Sequence, residues 1–317
     1  MAKETLHAQD YFWHVIINPN ACNQECFSNW GTISTKLGQN GIRHEMHKSD
    51  ASGRGIEIAR ELCQKGERHL IVIGGDGTIN EVVNGIFTAG INTQEVYLAV
   101  LPLGRGNDWA RTHKFPGNFI DSIDLLLKGN FIRHDIGKVE TIQNGQKAAE
   151  RYFINIAGFG FDADVIYDTT YNKPHFLGIS VYILSLIRTL FHFKAPEITV
   201  KTPDHTFSGK SFLSIAAICQ YNGGGMRQAP MAKPNDGLLD VVVIPNVGKL
   251  KVIANLKHIF TGNHLNKLKG IEVFSTPSLT ISSKQLVRGE VEGEVLRNGD
   301  YNIQLLPSAL NTLSALE

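Results

Sequence analysis

Residues 69–87, HLIVIGGDGTINEVVNGIF, constrain the fold more than any other stretch of the chain. Leu70 to Ile73 are apolar without a break. A strand of that kind is covered on both faces, as in a parallel sheet. The run stops at Gly74-Gly75-Asp76-Gly77, and a helix is expected from near Thr78. Similar units surround it. An apolar strand over 11–17 ends at Asn18-Pro19-Asn20, and helical spacing follows over 27–38. GIRHEMHK reads as a short strand and IEIARELCQKG (56–66) as an amphipathic helix closed by Gly66. YLAVLPLG (97–104) is a further strand and 119–130 a further helix. Strands alternating with helices predict a three-layer α/β domain built on a parallel sheet covered on both faces.

After about residue 133 the pattern changes. IRHDIGKVE, RYFINIAGFG, EITVKTPDH, TFSGKSFLSIAAICQY, LLDVVVIP, IEVFSTPSLTISSK, VEGEVLRNGD and YNIQLLP read as successive strands separated by turn residues. Helix-like inserts cover roughly 174–193 and 248–267. This half is expected to be an antiparallel β-sandwich.

Composition excludes several classes. The formal net charge of +1 gives no case for nucleic-acid binding. The four cysteines are too scattered for a disulfide framework and read as reduced thiols in a cytoplasm. No signal peptide is recognised. The stretch FLGISVYILSLIRTLFHF (176–193) is short for a bilayer span and is interrupted by Arg188 and His192. It reads as a buried or lipid-facing helix, with no transmembrane segment expected. The histidines, His113 and His175 among them, lack spacing such as HExxH and read as surface or satisfied core residues.

The glycine turn suggests its own chemistry. At the carboxyl end of a parallel strand, glycines let backbone approach a ligand, and the following helix offers free N–H groups and a positive dipole end to an anion. A phosphate fits this place. Asp76 then needs a metal ion or a proton beside it, so the turn suggests Mg²⁺-assisted chemistry. The plain alternative is a strand–turn–helix with Asp76 as a cap. Neither GxGxxG nor GxxxxGK[ST] occurs here. LPLGRGNDWAR (101–111) forms a second turn of the same kind, where Gly104 and Gly106 bend the backbone and Asn107 and Asp108 cap the helix or face a ligand. Two such turns at adjacent strand ends strengthen the case, because open α/β sheets bind ligands there.

GGDGTINEVVNG followed by LPLGRGNDWAR resembles the catalytic domain of the diacylglycerol and sphingosine kinase superfamily, with its bacterial lipid-kinase branch the best fit. INPN (17–20), NIAGFGFDADV (155–165), GGGMRQAPMAKPNDGLLDVVVI (223–244) and VEGEVL (291–296) are similar to that family's other motifs and stand in the right order. The resemblance implies an ATP-binding domain over 1–133, to which 304–317 return, and a lipid-substrate sandwich over 134–303. ATP would be held by Asn18, Pro19, Asn20, Ser49, Gly74, Gly75, Asp76, Gly77, Thr78, Asn80 and Glu81, and by Gly104, Arg105, Gly106, Asn107 and Asp108. A structural Mg²⁺ would sit on the Asp236 carboxylate with backbone oxygens of the segment around Lys233 and Leu238. The family's general base is the acid of a D-G-E motif. Here that motif reads Glu292-Gly293-Glu294, which leaves the base between Glu292 and Glu294. Arg105 and Cys22 are two further departures.

The implied activity is transfer of the ATP γ-phosphate to a lipid hydroxyl by a cytoplasmic protein that meets a membrane surface transiently. A homodimer is an admissible assembly. Two rivals stand beside it: a kinase of a soluble substrate, as in NAD kinases, and a non-catalytic lipid- or nucleotide-binding homologue.

Overall fold

The structure, a computed structural model, describes residues 4–19, 25–104, 106–171 and 186–316. Asn20, Cys22, Arg105, His175 and residues 176–185 of the apolar stretch lie outside the described residues.

Four parallel strands lie side by side in the order Arg43–Lys48, Phe12–Ile17, His69–Gly74, Tyr97–Pro102. Alternate side chains serve opposite cores. Val15, Ile17, Ile71, Ile73 and Leu101 meet Ile33 and Leu37 of helix Trp30–Gln39 and Leu126 of helix Phe119–Lys128. Ile16, Leu70, Val72 and Val100 meet Leu62 of helix Arg54–Gln64 and Val82 and Ile86 of helix Asp76–Phe87. The continuous apolar run at 70–73 therefore has a direct cause: every residue is buried, on one face or the other. Each such aliphatic side chain contributes about 1.5–3 kcal/mol on burial. The two helices of the second layer touch at Gly85, where a Cβ would come within 2.5 Å of the Ile56 carbonyl oxygen. The helix of the glycine turn begins at Asp76, two residues earlier than its sequence spacing indicates.

The second half consists of antiparallel strands that form a sandwich. Strand Thr206–Ala217 belongs to both of its sheets. Residues 206–210 pair with Glu197–Lys201, whereas 213–217 pair with Ile156–Gly160 and Leu239–Pro245. An irregularity between Ser211 and Leu213 makes the corner. Two expected strands are broken. IEVFSTPSLTISSK divides into Glu272–Thr276 and Ser278–Ser282 at Pro277, which has no N–H to donate. RYFINIAGFG divides into Gln146–Phe153 and Ile156–Gly160, because the N–H groups of Ile154 and Asn155 leave the ladder for a side chain described below.

The long strand Asp300–Leu313 crosses both halves. It pairs with Ser278–Ser282 and with Asn130–Gln143 in the sandwich, and Asn311 and Thr312 then pair in parallel with Tyr97 and Leu98. A bulge interrupts it between Leu306 and Leu310. There Ser308, at φ +51°, donates its N–H to Asp135 Oδ1 at 2.7 Å. The other Asp135 oxygen accepts the Gly237 N–H at 2.7 Å, so one carboxylate joins the bulge to the NDGLLD turn. Inserts lie where expected, with helical residues at 186–192 and helices Lys249–Ile259 and His264–Lys267.

Candidate active site

The two glycine turns pack backbone against backbone. A Cβ on Gly104 would lie 2.5 Å from Gly75 Cα, and a Cβ on Gly74 would lie 2.6 Å from Thr78 Oγ1. These glycines are required by close approach, and the approach brings the starts of two helices together. Asp76 fastens them. Its Oδ1 accepts the Trp109 N–H at 3.0 Å and its Oδ2 the Asp108 N–H at 3.1 Å. Asp76 thus caps helix Asp108–Thr112 rather than its own helix. Asn18 joins the pair of turns, donating from Nδ2 to Thr78 Oγ1 at 3.2 Å. Ser49 is buried beside the first strand, its Oγ without a hydrogen-bond partner.

Asp108 carries the link onward to the second half. Its two oxygens accept the N–H groups of Gly224 and Gly225, each at 2.7 Å. Gly223, Gly224 and Gly225 all have positive φ, from +63° to +102°, a path open to consecutive glycines. Burial raises the Asp108 carboxyl above its ordinary range and nearby Asp76 adds to this, while the two glycine N–H groups pull it back. The triple glycine is therefore a held turn.

The second half contributes the turn after strand Gly289–Val291. Glu292 adopts φ +52°, a left-handed conformation uncommon for a side chain of this size. The carboxylate explains the turn. Oε1 accepts Ile154 N–H at 2.7 Å and Asn155 N–H at 2.8 Å, and Oε2 is buried with no hydrogen-bond partner among the described residues. Burial pushes its pKa up to about 8. The two backbone N–H groups oppose that, Asp76 raises it further, and Arg151 lowers it. Asp76 and Glu292 thus sense each other across the cleft although 216 positions separate their numbers (292 − 76). Glu294 points elsewhere: it is half-exposed and pairs with Arg151 at 2.5 Å.

Glu81 and Ser49 both come within 3.4 Å of where a Cβ on Gly55 would stand. Glu81 caps helix Arg54–Gln64, accepting Gly53 N–H at 2.8 Å and Gly55 N–H at 3.0 Å. Asn80 is buried, donates to the Tyr152 carbonyl at 3.0 Å and accepts from Arg151 at 3.1 Å. Lys233 and Asp236 are exposed and Leu238 is half-buried. Asp236 Oδ1 accepts the Leu238 N–H at 3.1 Å, closing an Asx turn.

Two acids escaped the sequence reading. Glu290 and Asp162 are both directed at Gly158, where a Cβ would lie 2.8 Å from Glu290 Oε1 and closer still to Asp162 Oδ2. Burial raises both, to about 7 for Asp162 and well above the ordinary carboxylate range for Glu290, which Asp162 also pushes up. Asp162 borders an apolar cavity of about 80 Å³ whose walls include Phe161, Val165, Phe212, Ile244 and Leu256. Asp162 stood in the quoted NIAGFGFDADV segment. Only the sheet register, which sets Glu290 opposite Gly158, reveals its partner.

Comparison with known proteins places the chain in a family. Residues 13–139 match the diacylglycerol kinase catalytic domain, and residues 155–314, half of the chain, match the YegS C-terminal NAD kinase beta sandwich-like domain. A diacylglycerol kinase of Staphylococcus saprophyticus is 27% identical over 284 residues, 88% of each chain. One of Bacillus subtilis is 29% identical over 253 residues, 80% of each. A solved diacylglycerol kinase structure from Bacillus anthracis superimposes with a TM-score of 0.70 at 19% identity, covering 95% of this chain and 96% of that one. Yeast NADH kinase, solved with NADH, reaches 0.53 at 11% identity, covering 96% and 84%. These two structures speak for the fold alone. The first half matches the diacylglycerol kinase catalytic domain and the second the YegS sandwich domain, diacylglycerol kinases align with most of the length, and the chain belongs to the diacylglycerol kinase family of phosphotransferases.

Proposed function

We propose that the chain transfers the γ-phosphate of ATP to a hydroxyl of a lipid such as diacylglycerol. The observation that carries the reading is Glu292: a buried carboxylate held by two N–H groups, with one oxygen unengaged and a pKa raised to about 8, beside the glycine turns. A base of that pKa is well matched to a reaction near neutral pH.

ATP and Mg²⁺, when bound, supply the phosphoryl group and the charge neutralisation that such a transfer needs. Gly74, Gly75, Gly77 and Thr78 offer backbone to the phosphates at the start of helix Asp76–Phe87. Asn18, Pro19, Ser49, Gly104, Gly106 and Asn107 border the same place, and the Ser49 hydroxyl has a donor to give. Asp76 and Asp108 hold the turns in register with the 223–225 loop. Glu292 Oε2 accepts the proton of the lipid hydroxyl while that oxygen bonds to phosphorus and ADP leaves.

The NDGLLD turn suits a structural Mg²⁺. Its donors are hard oxygens. Asp236 keeps Oδ2 outside the Asx turn, and its charge raises both Asp135 and Asp240. The Asp236 carboxylate with the carbonyls of Lys233 and Leu238 would hold the ion.

We assign ATP to residues 1–133 with 304–317, and the lipid to 134–303. The apolar cavity beside Asp162 supports a lipid over a soluble acceptor. Helix Lys249–Ile259, which lends Val252 and Leu256 to that cavity, carries Lys249, Lys251 and Lys257 and no acid, and Leu250 and Ile253 are exposed on it. Such a helix suits transient contact of a cytoplasmic protein with an anionic bilayer surface. Among the described residues no helix is long and apolar enough to cross a membrane.

The test is incubation with ATP, Mg²⁺ and extracted lipids, read by the mass of the phosphorylated product. A phosphorylated lipid is expected. ATP consumption only with soluble acceptors, or none at all, overturns the reading.

A further inference from the structure

Behind the cleft lies a cluster that phosphoryl transfer does not use. His113 follows helix Asp108–Thr112, His134 lies on strand Asn130–Gln143, and Cys219 follows strand Thr206–Ala217. All three are fully buried, and their ligand-type atoms lie within 4.8 Å of one another. His134 Nε2 is 3.2 Å from His113 Nε2 and 3.8 Å from Cys219 Sγ. In a tetrahedral zinc site, bonds of about 2.0–2.1 Å to nitrogen and about 2.3 Å to sulfur place the ligand atoms roughly 3.3–3.7 Å apart. The observed spacing is close to that before any ion has drawn the groups in.

The outer contacts fit as well. His134 Nδ1 lies 2.5 Å from the Asp135 carbonyl, and His113 Nδ1 lies 3.0 Å from Ser314 Oγ. A carbonyl accepts only, so His134 carries its proton on Nδ1 and offers the Nε2 lone pair. Ser314 can accept from His113 Nδ1 in the same way, which leaves both Nε2 atoms converging with the thiol. Metal-bound histidines are held in this manner, through a hydrogen bond from the other ring nitrogen. In the protein as described, the single His134 Nε2 lone pair is approached by Trp109 Nε1–H at 3.3 Å as well as by His113 and Cys219. Two lone pairs and a thiol thus converge, and an ion entering between them displaces the Trp109 N–H from His134.

We propose that His113, His134 and Cys219 form a buried site for a zinc-class cation, one that prefers imidazole and thiolate. The site joins the helix leaving the second glycine turn, the strand leading into the sandwich and the segment before the triple glycine. Occupancy therefore fixes helix Asp108–Thr112, whose first turn is held by Asp76. It also takes the lone pair that Trp109 now contacts, so the indole, stacked on His113 at 4.1 Å between ring centroids, reports the ion. The sequence spacing of these histidines gave no sign of this, because the three ligands come from three separate elements.

The full chain, without nucleotide, is titrated with Co²⁺ and then Zn²⁺. One Co²⁺ per chain is expected to give a thiolate-to-cobalt charge-transfer band in the near ultraviolet, displaced by Zn²⁺ and absent in Cys219→Ser. The emission change on binding is expected to disappear in Trp109→Phe. X-ray absorption of the zinc-loaded wild type, which needs no variant, is expected to show one sulfur with nitrogen or oxygen neighbours. Absence of the band, its survival in Cys219→Ser, an unchanged emission, or a shell without sulfur overturns the proposal. That last outcome would place zinc on the half-exposed trio His14, Glu45 and His47, which has no thiol.

Discussion

Asp76 and Glu292 occupy turns of opposite design. Each carboxylate receives two backbone N–H groups from a distant segment. Asp76 divides them between its oxygens and fastens two glycine turns whose close backbone contact no larger residue permits. Glu292 takes both on Oε1 and keeps Oε2 unengaged in a buried place. The same number of bonds thus gives a clasp in one half and an available acceptor in the other. How the bonds are distributed, more than how many there are, separates a structural carboxylate from one able to take a proton.

The contrast can be broken most directly at Glu292. Glu292→Gln keeps the shape and removes the base. Transfer to lipid should fall about 10²–10⁴-fold with ATP affinity nearly unchanged, and Glu294→Gln should cost less because that side chain pairs with Arg151 at the surface. Lipid-product mass and equilibrium nucleotide binding measure the two quantities. A larger loss at Glu294 would exchange the roles.

Asp76→Ala comes next. Losing the clasp should lower stability by about 0.5–2 kcal/mol, as for other helix caps, and should lower transfer by orders of magnitude as the turns separate. Denaturant midpoints and turnover together check it. Normal turnover with a lowered midpoint would leave Asp76 as a cap only.

The pH profile sharpens the comparison further. A base with a pKa of about 8 is active when deprotonated, so kcat/KM should climb through pH 8 and level off above it. Stability should run the other way. The folded value lies above the ordinary 4.5, so the folded state holds the proton more tightly, and the stability linked to it is full below 4.5 and lost as pH rises through about 8. Glu292→Gln should flatten both curves. A profile whose wild-type rise survives in that variant would assign it to another group.

The smallest effect concerns the NDGLLD turn. Added Mg²⁺ without nucleotide should raise the thermal midpoint of the wild type modestly, and Asp236→Ala should lose that response. Equal shifts in both would rule out an ion there.

These contrasts bear on what the sequence could reveal. The parallel sheet was legible because Leu70 to Ile73 and their counterparts carry their burial in consecutive residues. The glycine turns were legible for a similar reason: Gly74, Gly75 and Gly104 are local signatures of close approach. The partners of the carboxylates were not. Asp108 meets Gly224, Glu292 meets Ile154 and Glu290 meets Asp162 only after the sandwich has set its register. The break at Ile154-Asn155 was read through as a continuous strand, since apolar residues flank it and nothing nearby hints that two N–H groups are needed elsewhere. Glu81 is legible in sequence while its hydrogen-bond partners are not. It lies next to the glycine motif in sequence but faces the turn before helix Arg54–Gln64.

Strand Asp300–Leu313 has a consequence for how the chain is made. Its final residues lie against Tyr97 and Leu98 in the parallel sheet, so the two partners are separated by roughly 200 residues of synthesis. At about 5–20 residues per second, the ribosome needs on the order of 10–40 s to deliver the second after the first. Throughout that interval Tyr97 and Leu98 lack the partners that Asn311 and Thr312 later supply, and an unpaired strand edge is the kind of surface to which other chains add. Closing so long a loop late also makes the first half a slow, non-local folder. Completion of the parallel sheet is in this sense a late event of folding, although its sequence is the first to emerge.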